Sequence, residues 1–416
     1  MQSIQEEFDV VVVGAGAAGL MAAGRAAELG ARVAIVDKNK TLGRKLLITG
    51  KGRCNITQAE FNDKKFIKKL DKKGQWLFSA LAVFGPEEVI NFFERRGLKT
   101  KVEQGGRVFP ESDKAQDVLD ILLKYLREKK VKIFSGEAVL GLNLKDKKII
   151  SAKLGKRNIS AKSFVLCTGG KAYPATGSTG DGYVWARDLG HKIIKSVPAL
   201  VPIETKEVWP KNLQGLSLKN VNLNLWQNNK KQDFRFGEML FTHFGLSGPI
   251  VLDISKKIGE LLPGGEVIIE IDLKPALDID QLDKRLQRDF SANGNKDFKN
   301  YLPDLVPQKI IEIIIKFSGI DAHKKLNAIT REERKKIAIT LKSLRTGVRG
   351  LMGFDQAIVT SGGIDLNEID SRTMKSKIID NLFFAGEIID LDGPTGGYNL
   401  QICWSTGYLA GTRAIN

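Results

Sequence analysis

Phe8-Asp-Val-Val-Val-Val13 runs directly into Gly14-Ala-Gly-Ala-Ala-Gly19. The valine-rich run reads as a short buried strand. The glycines follow the G-x-G-x-x-G spacing that opens a helix after such a strand: the first permits a tight turn, the second lets backbone approach a pyrophosphate, and the third lets helix pack on strand. A helix-like run from Leu20 to Leu29 follows, Gly30 ends it, and Arg32 to Val36 reads as a second strand. Asp37 closes that strand, where a carboxylate can accept hydrogen bonds from a ribose hydroxyl pair. Strand, turn, helix and acidic stop agree on a dinucleotide-binding start. Contacts are expected from Gly14, Gly16, Ala17, Ala18, Gly19, Asp37 and Lys38.

Two later strands also end in glycine. Ser163 to Cys167 stops at Thr168-Gly169-Gly170, and Asn381 to Ala385 stops at Gly386-Glu387. Ligands of open α/β sheets bind at strand C-termini, and three such stops fit a long extended cofactor, FAD, better than NAD. Between them, Pro86 to Arg96 and Lys114 to Lys129 read as amphipathic helices, the second capped by Ser112, while Val131 to Leu142 and Ile149 to Leu154 alternate like strands. After Pro198 the texture changes. Val201 to Ile271 reads as a β-rich module, Leu282 to Leu344 is helical and basic, and strand-and-glycine texture returns from Gly353. The expected organisation is an α/β, doubly wound Rossmann-like domain (1–197 and 348–416) split by a β-rich domain (198–277) and a small helical domain (278–347). A length of 416 residues suits two or three domains.

The net charge of +17 is concentrated. Residues 38–73 hold twelve Lys/Arg against three Asp/Glu, and residues 281–350 hold sixteen against eight. A field of this sign attracts polyanions. A lysine-rich solvated surface explains it equally simply, and Arg331 to Lys336, with four basic residues in six, fits that simpler reading. Cys54, Cys167 and Cys403 form no C-x-x-C, and His191, His243 and His323 lie far apart, so no metal site and no dithiol mechanism are expected. The stretch Met1 to Asp9 lacks a basic region, and no apolar run is long enough to span a bilayer. A cytoplasmic protein without a membrane partner is the expectation.

These motifs together resemble the BaiN/YhiN-like flavoproteins, a family often labelled NAD(P)/FAD-dependent oxidoreductases. The matching stretches are Gly14 to Gly19, Gly43-Arg-Lys-Leu-Leu-Ile-Thr-Gly-Lys-Gly-Arg-Cys-Asn55, Tyr173-Pro-Ala-Thr-Gly-Ser-Thr-Gly-Asp-Gly182 and Gly237-Glu-Met-Leu-Phe-Thr-His-Phe-Gly-Leu-Ser-Gly-Pro249. Ser361-Gly-Gly363, Thr373-Met-Lys-Ser-Lys377 and Gly386 to Gln401, with its Gly396-Gly-Tyr-Asn-Leu400, complete the set. The resemblance implies that the inserted β-rich domain is barrel-like and that FAD is the cofactor. It places Arg44, Lys45 and the loop holding Gly50, Gly52 and Asn55 near that cofactor, and Gly396, Gly397, Tyr398, Asn399 and Leu400 against the flavin pyrimidine edge. Further contacts are expected from Ala138, Val139, Thr168, Gly169, Gly170, Gly386 and Glu387.

No second G-x-G-x-x-G forms a nicotinamide domain, so NAD(P)H is expected as a transient reductant. His243 can donate a proton beside the flavin, or can simply hydrogen-bond backbone in its turn. Tyr173 can reach the ring, or pack in its loop. Family resemblance offers three substrates: the uridine C5–C6 bond of ribosomal RNA, giving dihydrouridine; a small amine such as aminoacetone, oxidised; or a conjugated steroid enone, reduced. RNA wants phosphate contacts from Lys and Arg, so the two basic segments favour the uridine reading. A non-catalytic RNA-binding flavoprotein is the alternative outside enzymology.

Overall fold

The computed structural model describes residues 7–155 and 157–415. The expectation drawn from Met1 to Asp9 lies mainly outside the described residues. The chain divides into two compact units, residues 1–198 with 357–416, and residues 199–356.

A 7-stranded sheet forms the centre of the first unit. β1 (Glu7–Val13) is flanked on one side by β2 (Val33–Asp37) and on the other by Asn158–Leu166, both parallel to it. The register pairs Val13 with Val36 and with Leu166. Lys132–Ser135 adds in parallel outside β2, and Leu382–Phe384 adds in parallel outside Asn158–Leu166. The chain thus reverses direction of winding at β1, which puts a crevice at the C-terminal ends of the strands. Val139–Lys145 and Lys148–Leu154 form an antiparallel meander leading into Asn158–Leu166.

The helix α1 (Ala17–Glu28) is apolar along its buried face because Leu20, Met21, Ala22, Ala23 and Ala26 must all leave water. It packs backbone to backbone on the helix Tyr398–Arg413. A Cβ on Gly407 would lie 2.4 Å from the Ala18 carbonyl oxygen, and one on Gly411 would lie 2.3 Å from that of Ala22. Small residues on both helices therefore set the approach. The two expected amphipathic helices occur as Pro86–Glu94 and Ala115–Glu128. Ser112 does not cap the second: Lys114 occupies that position with extended backbone and no side-chain cap.

In the second unit, six strands close into a barrel: Ile203–Thr205, Gly245–Ser247, Lys230–Phe241, Ser217–Gln227, Ile268–Asp272 and Leu344–Leu351, in that order. The last strand spans the boundary expected at 347/348 and pairs with Ile203–Thr205. The helices Ile279–Ala292, Ile311–Ser318 and Arg331–Lys342 lie between the last two barrel strands in sequence. One element differs from the β-rich reading of Val201 to Ile271: Pro249–Leu261 is a helix. Proline suits its first turn, and Ile250, Ile254 and Ile258 bury one face at helical spacing. The β-branched run conceals that period from a propensity reading.

Candidate functional site

The crevice of the first unit is a pocket, partly open to solvent, at the C-terminal ends of the parallel strands. Gly14, Gly16, Ala17 and Ala18 form one wall and Asp37 and Lys38 the end of β2. Gly14 takes φ +99°, a left-handed conformation that favours glycine, and a Cβ there would lie 2.5 Å from the Cys167 carbonyl oxygen. Gly19 is tighter still, since its Cβ would meet the Gly14 carbonyl oxygen at 1.8 Å. Gly16 is the contrast: a Cβ there would have nothing within 4 Å. Its missing side chain leaves room on the pocket side.

Gly16 caps α1 without a side-chain hydrogen bond, and the first turn holds no acidic residue. The first amides of the helix thus face the pocket's end without a carboxylate competing for them. Asp37 is fixed by two amides, with Ala15 N–H donating to Oδ2 at 2.7 Å and Asn39 N–H to Oδ1 at 2.7 Å. The loop after β2 is tied to the turn by the Gly43 amide, which donates to the Ala15 carbonyl at 2.9 Å. Arg44–Ile48 then forms a short helix whose Arg44, Lys45 and Leu46 line the pocket.

Lys45 Nζ donates to Glu387 Oε2 at 2.7 Å. The other oxygen, Glu387 Oε1, accepts from the Thr360 amide at 2.8 Å. Gly170 is pinned beneath this pair: its Cβ would lie 2.3 Å from Thr360 Oγ1 and 2.8 Å from Glu387 Oε1. At the far end, Lys38 Nζ pairs with Asp181 Oδ2 at 2.6 Å. Burial pushes the Asp181 carboxyl upward, but hydrogen bonds from Lys38 and Thr179 outweigh it and hold it below its ordinary range. Thr168 Oγ1, on the pocket wall, is buried without a hydrogen-bond partner among the described residues. Such an atom is costly unless a ligand completes it. Burial pushes the Cys54 and Cys403 thiols up to about 12 and raises Cys167 as well. Thiolates are therefore scarce here near neutral pH, and thiol chemistry is disfavoured.

Of the remaining expected contacts, Val139, Thr168, Gly169, Gly386, Glu387, Asn399 and Leu400 also line the pocket. Gly19, Gly50, Gly52, Asn55, Ala138, Gly170, Gly396, Gly397 and Tyr398 are not among its lining residues. Gly50 and Gly52 are exposed on a left-handed stretch, φ +57° and +85°. Asn55 Oδ1 is buried and has no hydrogen-bond partner among the described residues. Ala138 is exposed. Gly397 lies against Thr57, where a Cβ would come within 2.3 Å of backbone, and the Tyr398 ring is 4.7 Å from that of Phe66. Tyr173 is half-buried at φ +52° and begins the turn Pro174–Thr176, accepting at its carbonyl from Thr176 Oγ1 at 2.7 Å. His243 belongs to the second unit, exposed in the turn Thr242 to Gly245, its ring 4.8 Å from that of Phe244. The pocket also takes in Thr49 and Ser178, which lie within quoted motifs but were not singled out, and Asn39, Glu137, Trp185 and Val359, which the motifs did not mark. Ser178 and Asp181 sit inside the quoted Tyr173 to Gly182 stretch, so its glycines were a usable signal. Nothing local marks Glu137 or Val359.

The model of the HI0933-like protein Rossmann domain matches residues 8–413. The chain belongs to this family. It is 33% identical over 407 residues to a 3-dehydro-bile acid delta(4,6)-reductase of Clostridium scindens, covering 97% of this chain and 98% of that protein. It is 31% identical over 407 residues to a ribosomal RNA dihydrouridine synthase of Escherichia coli, covering 97% of each. Among solved structures, 3-ketosteroid delta1-dehydrogenase from Sterolibacterium denitrificans shares the fold, with a TM-score of 0.56 at 13% identity over 98% of this chain and 99% of that one. The BaiN/YhiN resemblance is thus shown, and the chain is a FAD-dependent oxidoreductase with a Rossmann-like α/β fold. Among the described residues no helix is long and apolar enough to cross a membrane.

The residues present fit FAD. An open approach at Gly16, uncapped helix amides, a carboxylate held at the end of β2 and an unpartnered Thr168 hydroxyl are what a pyrophosphate and a ribose require.

Proposed function

We propose that this protein reduces a C=C bond conjugated to a carbonyl, with NAD(P)H as transient donor, and that its substrate is uridine in ribosomal RNA. Bound FAD supplies the hydride chemistry. In this reading Gly16, Ala17 and Ala18 hold the pyrophosphate, Asp37 holds the ribose, and Lys45 with Glu387 faces the cofactor's middle. Asn399 and Leu400, the members of the Gly396 to Leu400 stretch that line the pocket, carry amides for the flavin end, where backbone N–H groups at a helix start stabilise negative charge. Tyr173 and His243 remain the candidate proton donors.

The observation that carries the RNA substrate is an array of free cations. Lys64, Lys65, Lys68, Lys69 and Lys72 are exposed and make no ion pair among the described residues. They crowd the helix Asp63–Lys68 and the turn after it. Uncompensated lysines repel one another, and a phosphate backbone relieves that repulsion while releasing counterions. A compact neutral substrate gains nothing from it. The relative named as a dihydrouridine synthase supports this substrate. The relative named as a bile acid reductase favours a second reading, a polycyclic enone.

The test is to incubate purified protein and NADPH with unmodified ribosomal RNA and to measure dihydrouridine by mass spectrometry. Dihydrouridine at defined positions is the expected result. None formed, with fast reduction of a conjugated steroid ketone, would transfer the assignment to the second reading. Rapid O₂ consumption with a small amine would make the protein an oxidase.

A further inference from the structure

We propose that the outer wall of the barrel in the second unit is a platform for single-stranded RNA, on which bases stack against Phe234 and Phe236. The proposal rests on the RNA reading above. Both rings sit on the strand Lys230–Phe241 and are 53% and 58% exposed. They are two residues apart in regular register, Phe234 opposite Asn224 and Phe236 opposite Asn222, so they share one face. Folding gives no reason for two adjacent bare phenyl rings, since leaving them in water forfeits their burial.

At the Lys230 end their surroundings point to a nucleic acid rather than to another protein, and the exposed Glu238 beyond Phe236 limits the phosphate contacts to that end. Lys230 and Lys231 are exposed at the end of the same strand, and Lys231 Nζ lies 4.8 Å from the Phe234 ring centroid. Asn222, across from Phe236, is half-buried, and its amide makes no hydrogen bond among the described residues. An aromatic pair offers stacking to any base, a free amide offers donors and an acceptor to a base edge, and the lysines offer contacts to phosphate. Paired RNA hides its bases, so the site should prefer single strands.

The experiment compares wild-type protein with Phe234→Ala, Phe236→Ala and the double variant. Fluorescence anisotropy with a short single-stranded RNA and with a duplex of the same length gives the affinities, alongside the melting temperature and bound-FAD absorbance. Each substitution should weaken single-strand binding about tenfold, with duplex binding, melting and flavin unchanged. Unaltered single-strand affinity in the double variant would overturn the platform. So would a wild-type dimer that the double variant dissolves, because the rings would then be a contact between copies. Dihydrouridine formation is scored in parallel. If wild type forms none while ring-dependent RNA binding persists, the platform stands and the uridine reading falls. If wild type forms it and the double variant binds RNA equally well, the platform falls and the uridine reading stands.

Discussion

The pocket of the first unit and the barrel wall of the second are specified in opposite ways. Gly14, Gly19 and Gly170 shape the pocket by what they lack: a methyl group at any of them would lie 2.5 Å or less from a neighbouring atom. Phe234 and Phe236 shape the wall by what they add, and they stand exposed. A site made by absence is locked into packing, so changing it perturbs fold and ligand together. A site made by addition can be erased without the fold noticing.

The sharpest way to break this contrast lies in the glycine turn behind the pocket. Gly19→Ala should cost about 3 kcal/mol or more, because its Cβ would meet backbone that cannot step aside. Denaturant titration measures that loss. Gly16→Ala should melt like wild type yet purify with little flavin, because open space there is the ligand's and not the protein's. Equal destabilisation by both would show that the turn is packed uniformly. A smaller effect is expected at the ion pair. Lys45 and Glu387 are 21% and 13% exposed, so Lys45→Ala leaves a nearly buried carboxylate and should cost about 2 kcal/mol, less than for a fully buried pair. Thr360, whose amide donates to the same carboxylate, should then show faster hydrogen exchange. The smallest effect belongs to the wall. Phe236→Ala should leave stability within about 0.5 kcal/mol of wild type, and a larger loss in the same titration would mark the ring as structural.

Legibility in the sequence follows the same division. The β1–α1–β2 unit was readable because its glycine spacing has a partly local reason: a Cβ on Gly19 would meet the Gly14 carbonyl, while the clash at Gly14 is with Cys167 at the end of the neighbouring strand. The terminal strands at Cys167 and Ala385 were readable from valine and phenylalanine runs ending in glycine. Glu137 and Val359 were not: Glu137 lies in the connection after Lys132–Ser135 and Val359 opens the strand Val359–Ile364, and only the tertiary structure brings either to the pocket. Lys45 was marked by its loop, but its partner Glu387 lies 342 residues away, and no local pattern announces that pairing. Helix Pro249–Leu261 was missed because four of its core residues are β-branched. The exposed rings at Phe234 and Phe236 looked like ordinary alternation in a strand, and only their exposure sets them apart.

The strand Leu382–Phe384 and the helix Tyr398–Arg413 complete a sheet and a helix pair that Glu7–Val13 and Ala17–Glu28 begin. During synthesis the early partners must wait while all of residues 199–356 is made, roughly ten to thirty seconds at typical elongation rates. Through that interval the apolar face of Asn158–Leu166 and the bare groove at Ala18 and Ala22 have no native cover. The barrel, contiguous in sequence, can finish first. A pause or truncation before Leu382 would leave a folded barrel tethered to an open sheet edge, the form in which this chain is most exposed to chaperones and proteases.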